Sequence, residues 1–463
     1  MAAAAQTARP ISSSERAQGD KANPELVAEF GGRYNGPQAA FVERVGKRVA
    51  VQSGLANARD DFTVQLLNSP VENAFAIPGG YVYVTRQLLA LMNDEDELAF
   101  VMGHEVGHVA ARHSARRRQT SAIGGLLAGI VGAVTDGSQI GRLLGAGAQQ
   151  ASQLYTLKFG RDQEYQADML GVRYVVGAGY DPWGAPEVLS QLGASTALQA
   201  YAAGRDANAT PTWLSTHPSN AKRVMRARAL AQQARGAAPA GQTQDVAFLK
   251  MLDGMRYDDD PAKGVIDGQV FRQPVMRIRF TGPQGYSINN SDEAVTVSGP
   301  RGRAQLRTAA GITRLDAAVV DGVRKLGGNL STDQVRPVTI NDRSAAVASV
   351  RAIANRRQVD ATVLAIQFPG AIYVWTMVTP AGSGIGAFDP MIASFTTMTE
   401  AEARQVRGKH IRIHTVRQGE TIDSLSRRMA YTDFQRERFV TLNGIDENAA
   451  LRPGMLVKLV ELD

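Results

Sequence analysis

The chain has no cysteine among its 463 residues. It therefore forms no disulfide and no thiolate metal site, and any metal must be held by histidine and carboxylate. This absence does not fix the compartment. A long apolar run is missing too. The best candidate, Ala122 to Val134, reads Ala-Ile-Gly-Gly-Leu-Leu-Ala-Gly-Ile-Val-Gly-Ala-Val, shorter than the ~20 residues of a membrane-spanning helix. Glycine and alanine continue from Gly141 to Ala148. A buried or loosely packed helical pair is expected there, with a membrane-dipping or gating lid as the functional alternative. The N-terminus lacks the charged start and apolar core of a signal peptide: Met1 to Ala5 leads into a polar run, Ser12 to Asn23. A mature chain with its leader already removed is the expectation, and a cytoplasmic start is the other reading. Acidic excess is absent as well, since 51 Lys and Arg face 44 Asp and Glu for a net charge of +7. Nucleic acid, anionic lipid and anionic polymers all suit a basic protein. No nucleic-acid fold signature is present, so no nucleic-acid partner is expected. The charge is assigned to a cell-envelope setting.

What is present begins with His104-Glu105-Val106-Gly107-His108. On a helix, residues four apart share a face. Both imidazoles then reach one zinc ion, with Glu105 beside them, as in a zinc peptidase. Acidic residues Asp94 to Glu97 open this helix, where Asn93 is a candidate cap, and Arg112 and Arg116 to Arg118 close it. Both suit the helix dipole. Between them the residues are apolar on nearly every side, so the helix should be buried. Polar groups inside it are costly unless satisfied. A metal satisfies them; a pair of core histidines bonded to carbonyls is the plainer reading.

A catalytic zinc needs a third protein ligand and an open position. Glu164 and Asp168 lie one turn apart on a helix that stops at Gly177-Ala178-Gly179. Glu164 is the expected third ligand, and Asp168 the acceptor that orients a ligand histidine. His217 stands in a loop before Ser219, which can cap another helix carrying Arg223. His217 and Arg223 could stabilise an oxyanion. Alternatively, His217 fills the open zinc position and holds the enzyme off, or has no role.

Together these motifs resemble the zinc metallopeptidase family that includes HtpX, BepA and the CAAX prenyl proteases. The matching pieces are Asn73 to Val84, His104 to His113, Glu164 to Asp168, and Thr216-His217-Pro218-Ser219 with Arg223. The resemblance covers about the first half of the chain. It implies one zinc per chain on His104, His108 and Glu164, with Glu105 as general base. It also implies that Asn73, Ala74, Phe75 and Ala76 belong to a substrate-binding edge strand. Such a strand pairs its backbone with an extended substrate, which suits unfolded protein. An ordinary hairpin strand is compatible with this.

The expected fold class is α+β and multidomain, the chain being long enough for several cores. Residues 23–234 form a mainly helical zincin-type peptidase domain with a small edge-strand sheet. Residues 235–244 are small and polar, a linker. Residues 245–400 read as a sheet domain with helices on one face, more suited to binding or spacing than to a second chemistry. Residues 408–463 run strand–helix–helix–strand and resemble a LysM domain, through His414 to Thr421, Leu442-Asn443 and Leu451 to Gly454. Glu420 stands where that motif has Asp. The resemblance implies peptidoglycan binding between Gly419-Glu420-Thr421 and Ile445-Asp446.

The combined expectation is a bacterial, periplasmic zinc endopeptidase tethered to the wall and acting on misfolded or stalled envelope proteins, with possible contact to a membrane surface. The alternatives are a peptidoglycan peptide hydrolase, and a chaperone or scaffold whose zinc site is locked.

Overall fold

The computed structural model describes residues 10–114, 159–202, 213, 217, 221–236, 244–291, 294–354 and 357–463. The glycine-rich segment 122–148 and the loop residues 214–216 and 218–220 lie outside the described residues. The chain divides into two compact units, and the division follows packing, not chain order. One joins the peptidase portion, up to Asp258, with Gly408–Asp463; the other holds Asp259–Arg407.

In the first unit, helix α1 (Ser13–Glu29) covers the polar run near the N-terminus. Ser12 caps it, and Glu15 reaches back to the Ser12 amide, a reciprocal capping box. Helix α2 (Pro37–Ala50) follows with Pro37 at its first turn, and a short α3 (Ala58–Asp61) leads into the sheet. Strands β1 (Thr63–Leu67), β2 (Ala74–Ile77) and β3 (Tyr81–Thr85) pair in the order β1-β3-β2. β2 is therefore an edge, antiparallel to β3 on one side and unpaired with any described strand on the other. Helix α4 (Arg86–Leu91) turns the chain into α5 (Glu95–Ala110), the metal helix. Its cap is Asp94, whose carboxylate accepts from the Glu97 amide, and not Asn93 as the sequence suggested. Asn93 donates its own amide to Glu97 instead. Helices α6 (Arg161–Gly177), α7 (Gly184–Ala202), α8 (Ala221–Arg235) and α9 (Val246–Leu252) complete this portion. Asp245 caps α9 and sets its start, and the short strand β4 (Arg256–Tyr257) follows it.

The second unit has a seven-stranded sheet that includes β8 (Ser287–Asn290), β9 (Val295–Gly299), β10 (Gly302–Thr308) and β11 (Arg336–Ile340); its order is β11-β12-β13-β14-β10-β9-β8. Its centre is β12 (Arg343–Ala354), β13 (Arg357–Phe368) and β14 (Ala371–Pro380), a run of antiparallel neighbours. Val319 and Val323 of helix α10 (Leu315–Lys325) pack on one face against Ala361, Val363 and Val378. The sequence anticipated helices on one face but left the other unexplained. A four-stranded sheet, β15-β7-β6-β5, covers it, with β5 at Val265–Asp267, β15 at Thr396–Thr397, and Phe271 and Phe280 against Trp375. Pro274 lies in the turn between β6 (Val270–Gln273) and β7 (Ile278–Thr281), where it costs no ladder bond.

The last 56 or so residues, a small-domain length, return to the first unit. Strand β16 (Lys409–Thr415), two short helices (Ile422–Ser426 and Gln435–Asn443) and β17 (Leu456–Leu462) give the anticipated strand–helix–helix–strand order. Ile411, Leu425, Phe439 and Val460 lie in the same apolar core as Leu89, Leu98 and Val188. Lys458 is fully buried, and its ammonium donates to the carbonyls of Ala90, Leu91 and Met92 at 2.8, 2.9 and 2.7 Å. Gln191 bridges Leu91 O to Thr441 O. No described helix is long and apolar enough to cross a membrane.

Candidate metal centre

Helices α5 and α6 approach closely because glycine lines their contact. A Cβ on Gly103 would sit 3.1 Å from Gly171 O, and one on Gly107 3.2 Å from the Leu170 side chain. The glycine inside the His104–His108 motif is thus a packing requirement. This contact brings Glu164 of α6 to the two histidines of α5.

Four buried groups converge: His104, His108, Glu164 and His217. The Nε2 atoms of His104 and His108 are 3.0 Å apart. Glu164 Oε2 lies 3.6 Å from His104 Nε2, and Oε1 3.6 Å from His108 Nε2. His217 Nδ1 lies 3.2 Å from His104 Nε2 and 3.1 Å from Glu164 Oε1. A tetrahedral zinc with bonds of about 2.0–2.2 Å separates its donors by about 3.3–3.6 Å. The two Glu164–histidine spacings of 3.6 Å match that shell, and the others, 3.0–3.2 Å, are slightly tighter. A second sign is Glu105: its Oε2 is buried with no hydrogen-bond partner, a cost that only a further ligand or water at the site removes.

Around the donors, bonds fix each ring. His104 Nδ1 is 3.0 Å from Asp168 Oδ1. Arg223 grips that carboxylate with two bonds, Nε to Oδ2 at 2.8 Å and Nη2 to Oδ1 at 2.6 Å. It also lies 3.0 Å from Glu164 Oε2 and donates to His217 O. Asp168 thus lies within bonding reach of His104, and Arg223 anchors its carboxylate.

Two neighbours were missed in the sequence. His113 is fully buried, with Nδ1 2.9 Å from His108 Nδ1 and Nε2 3.0 Å from Gln166 Oε1. If His108 uses Nε2 for metal, its Nδ1–H donates to His113, which donates onward to Gln166. Its place at the end of the matched stretch His104 to His113 was the available signal. Trp213 donates its indole N–H to Glu105 Oε1 at 3.2 Å and its backbone N–H to Glu72 O at 2.7 Å. It stacks on His217 at 4.8 Å. Nothing in its local pattern distinguished it from a core tryptophan.

Charge follows this geometry. Burial and the neighbouring imidazoles of His104 and His217 push His108 well below its usual pKa. Burial acts the same way on His217, but the carboxylates of Glu164 and Glu105 outweigh it and raise its pKa. Burial alone would raise Glu164 and Asp168. His217, His104 and Arg223 hold Glu164 below the ordinary range, and Arg223 with His104 holds Asp168 well below. The set is thus suited to a cation: a neutral imidazole at His108 beside the ionised carboxylates of Glu164 and Asp168.

Phe75 and Ala76 sit in β2, with Ala74 at its start and Asn73 just before it. Asn73 O accepts from the Thr85 amide, and its side-chain oxygen is buried and unbonded. In the C-terminal portion, Gly419, Thr421 and Asp446 are exposed, and Ile445 is half-buried. Glu420 is engaged within its own loop, accepting from the Arg417 amide and lying 2.7 Å from His414 Nε2.

Comparison with known proteins matches residues 37–231 to the family model "Peptidase family M48". Over 218 residues the chain is 29% identical to mitochondrial metalloendopeptidase OMA1 of Schizosaccharomyces pombe, 46% of this chain and 59% of that one. Over 246 residues it is 29% identical to the beta-barrel assembly-enhancing protease of Yersinia pestis, 51% and 48%. A third relative is OMA1 of Arabidopsis thaliana, 35% identical over 161 residues, 35% and 30%. The chain spans about half the length of the first two.

Proposed function

We propose, starting from a chain whose residues 37–231 belong to peptidase family M48 and make it a zinc metallopeptidase, that it is an endopeptidase of the bacterial cell envelope cutting unfolded or misfolded proteins. The observation that carries the chemistry is the buried donor set beside the unpartnered Oε2 of Glu105.

His104, His108 and Glu164 would hold the ion. When bound, zinc supplies a Lewis acid for the scissile carbonyl and the attacking water. The remaining work falls to the chain. Glu105 Oε2 takes the water's proton and returns it to the leaving amine, while Trp213 fixes the other oxygen. The open edge of β2 binds an extended backbone through main-chain hydrogen bonds. Arg223, pinned to Asp168 and Glu164, keeps the ligand shell in place, a role its geometry favours over direct contact with an oxyanion.

His217 supports two readings. Its Nδ1 lies inside the donor set, which favours a fourth ligand that closes the site until substrate displaces it. Its Nε2 is 3.5 Å from Glu105 Oε1, which suits oxyanion support once it swings away. His217→Ala raises basal cleavage in the first case and lowers it in the second.

The envelope assignment draws on the relatives named as beta-barrel assembly-enhancing proteases and on the LysM resemblance of residues 408–463. Under this proposal Gly419, Glu420, Thr421, Ile445 and Asp446 contact peptidoglycan, and substrates are cut near the wall. Co-sedimentation with isolated sacculi tests that part. Casein cleavage tests the enzyme: Glu105→Gln should abolish it and leave zinc content intact. Unchanged cleavage would overturn the mechanism. Cleavage of sacculus peptides but not casein would favour a peptidoglycan hydrolase.

A further inference from the structure

A cavity opens beside His108, and part of its wall comes from residues that precede the family match. Ile11 and Glu15 face the Ala76–Gly79 stretch of the edge strand and its turn, with Val109 and Arg112 from the end of α5. The N-terminal segment is firmly seated there. Arg112 Nη2 donates to Pro10 O at 3.1 Å. Tyr81 and Tyr83 donate their hydroxyls to Asp20 and Asn23. Leu26 and Ala22 share a small core with Phe75, Ile77 and Tyr83. The approach depends on glycine at the turn: a Cβ on Gly80 would lie 2.6 Å from Ile11 Cδ1, and one on Gly79 2.9 Å from Glu15 O.

We propose that this cavity is the pocket for a substrate side chain flanking the scissile bond, and that Ile11 sets its size. The inference rests on the peptidase reading and deepens it. The position follows from the lining: one wall is the strand that pairs substrate backbone, and another carries a metal-binding histidine. The chemistry follows from the remaining groups. Ile11, Ile77, Pro78 and Val109 are apolar. The one carboxylate, Glu15, caps its own helix through Ser12 and lies 3.9 Å from Arg112, so the rim carries no net charge. The free space is about 30 Å3, room for about two water molecules. That favours side chains as small as alanine or serine over aromatic ones. Backbone pairing alone reads little sequence; this pocket adds a preference for small side chains at one position.

The test maps cleavage sites in casein by mass spectrometry for wild type, Ile11→Ala and Ile11→Trp, with zinc content and melting temperature measured alongside. Wild-type cuts should be enriched in small residues at one flanking position. Ile11→Ala should extend that position to Leu and Phe. Ile11→Trp should lower cleavage at the wild-type sites at least tenfold with zinc content unchanged. One common site profile in all three active proteins would overturn the pocket and leave the peptidase standing. A wild type that cuts nothing would sink the peptidase reading, and the pocket with it.

Discussion

Glu72 precedes the edge strand and is buried, with Oε1 accepting from Ser195 Oγ at 2.7 Å. Its Oε2 has no hydrogen-bond partner. Burial raises its pKa from 4.5 to about 7, partly opposed by the Ser195 bond and assisted by the charge of Asp258. The sign follows from proton counting. Between the two values the folded chain keeps a proton that the unfolded chain has released. Stability therefore falls as pH rises through that window and levels off above it. A shift of about 2.5 units at about 1.4 kcal/mol each gives a loss of about 3 kcal/mol. Glu72→Gln cannot ionise and keeps an acceptor for Ser195. The NH2 that replaces Oε2 adds a cost that does not vary with pH. The difference in stability between variant and wild type should thus shift by about 3 kcal/mol in favour of the variant from pH 4.5 to pH 8. Urea denaturation followed by tryptophan fluorescence measures it. A difference that stays flat across this range would show that Glu72 is ionised in the fold, and the burial argument would be wrong.

Lys458→Met should cost several kcal/mol. It strands the carbonyls of Ala90 and Met92 at about 1–3 kcal/mol each, while Leu91 O keeps Gln191. Residues 408–463 and the peptidase portion should melt together, and a separate early transition for the C-terminal portion would refute the shared core. His113→Ala should weaken zinc binding about 10- to 100-fold, as loss of an outer-layer partner does, read by competition with a fluorescent chelator. His113→Gln should recover part of it, and an unchanged affinity would remove His113 from the site. Stripping zinc with a chelator should end casein cleavage and destabilise the first unit, because four buried polar groups then face one another without a cation.

The metal site was legible because its chemistry repeats at helical spacing. His104 and His108, and then Glu164 and Asp168, each sit one turn apart, and apolar neighbours forced the helix inside. The outer bonds were less visible. His113, Gln166 and Trp213 meet the site through folding, and a five-residue offset is no face of a helix. Helix α1 was hidden in a run of polar residues. Its amphipathic signal is weak, yet the Ser12 to Glu15 spacing carried a capping box that could have marked its start. In the second unit, hydrophobic alternation reveals the long strands β12 to β14 and, over Val275 to Phe280, the region of β7, but not the two- and three-residue strands β15 and β5 beside it. Those are too brief to show a period.

The C-terminal portion shows the limit most clearly. Its strand–helix–helix–strand order was readable from turns and apolar spacing, but a buried face does not name its partner. Lys458 sits mid-strand where an exposed, solvated lysine would be expected, and instead its ammonium closes the end of α4. Gly444 belongs to the same contact: a Cβ there would come within 2.9 Å of the Asn93 side chain, at the entrance to the metal helix. The proposed glycan-binding residues Ile445 and Asp446 follow directly. A wall polymer held there would sit at a fixed place on the catalytic unit and not at the end of a flexible linker. A flexible tether raises local concentration without favouring any orientation. A rigid attachment restricts which way the cleft faces, so binding to the wall would select among substrates by their approach as well as by their proximity.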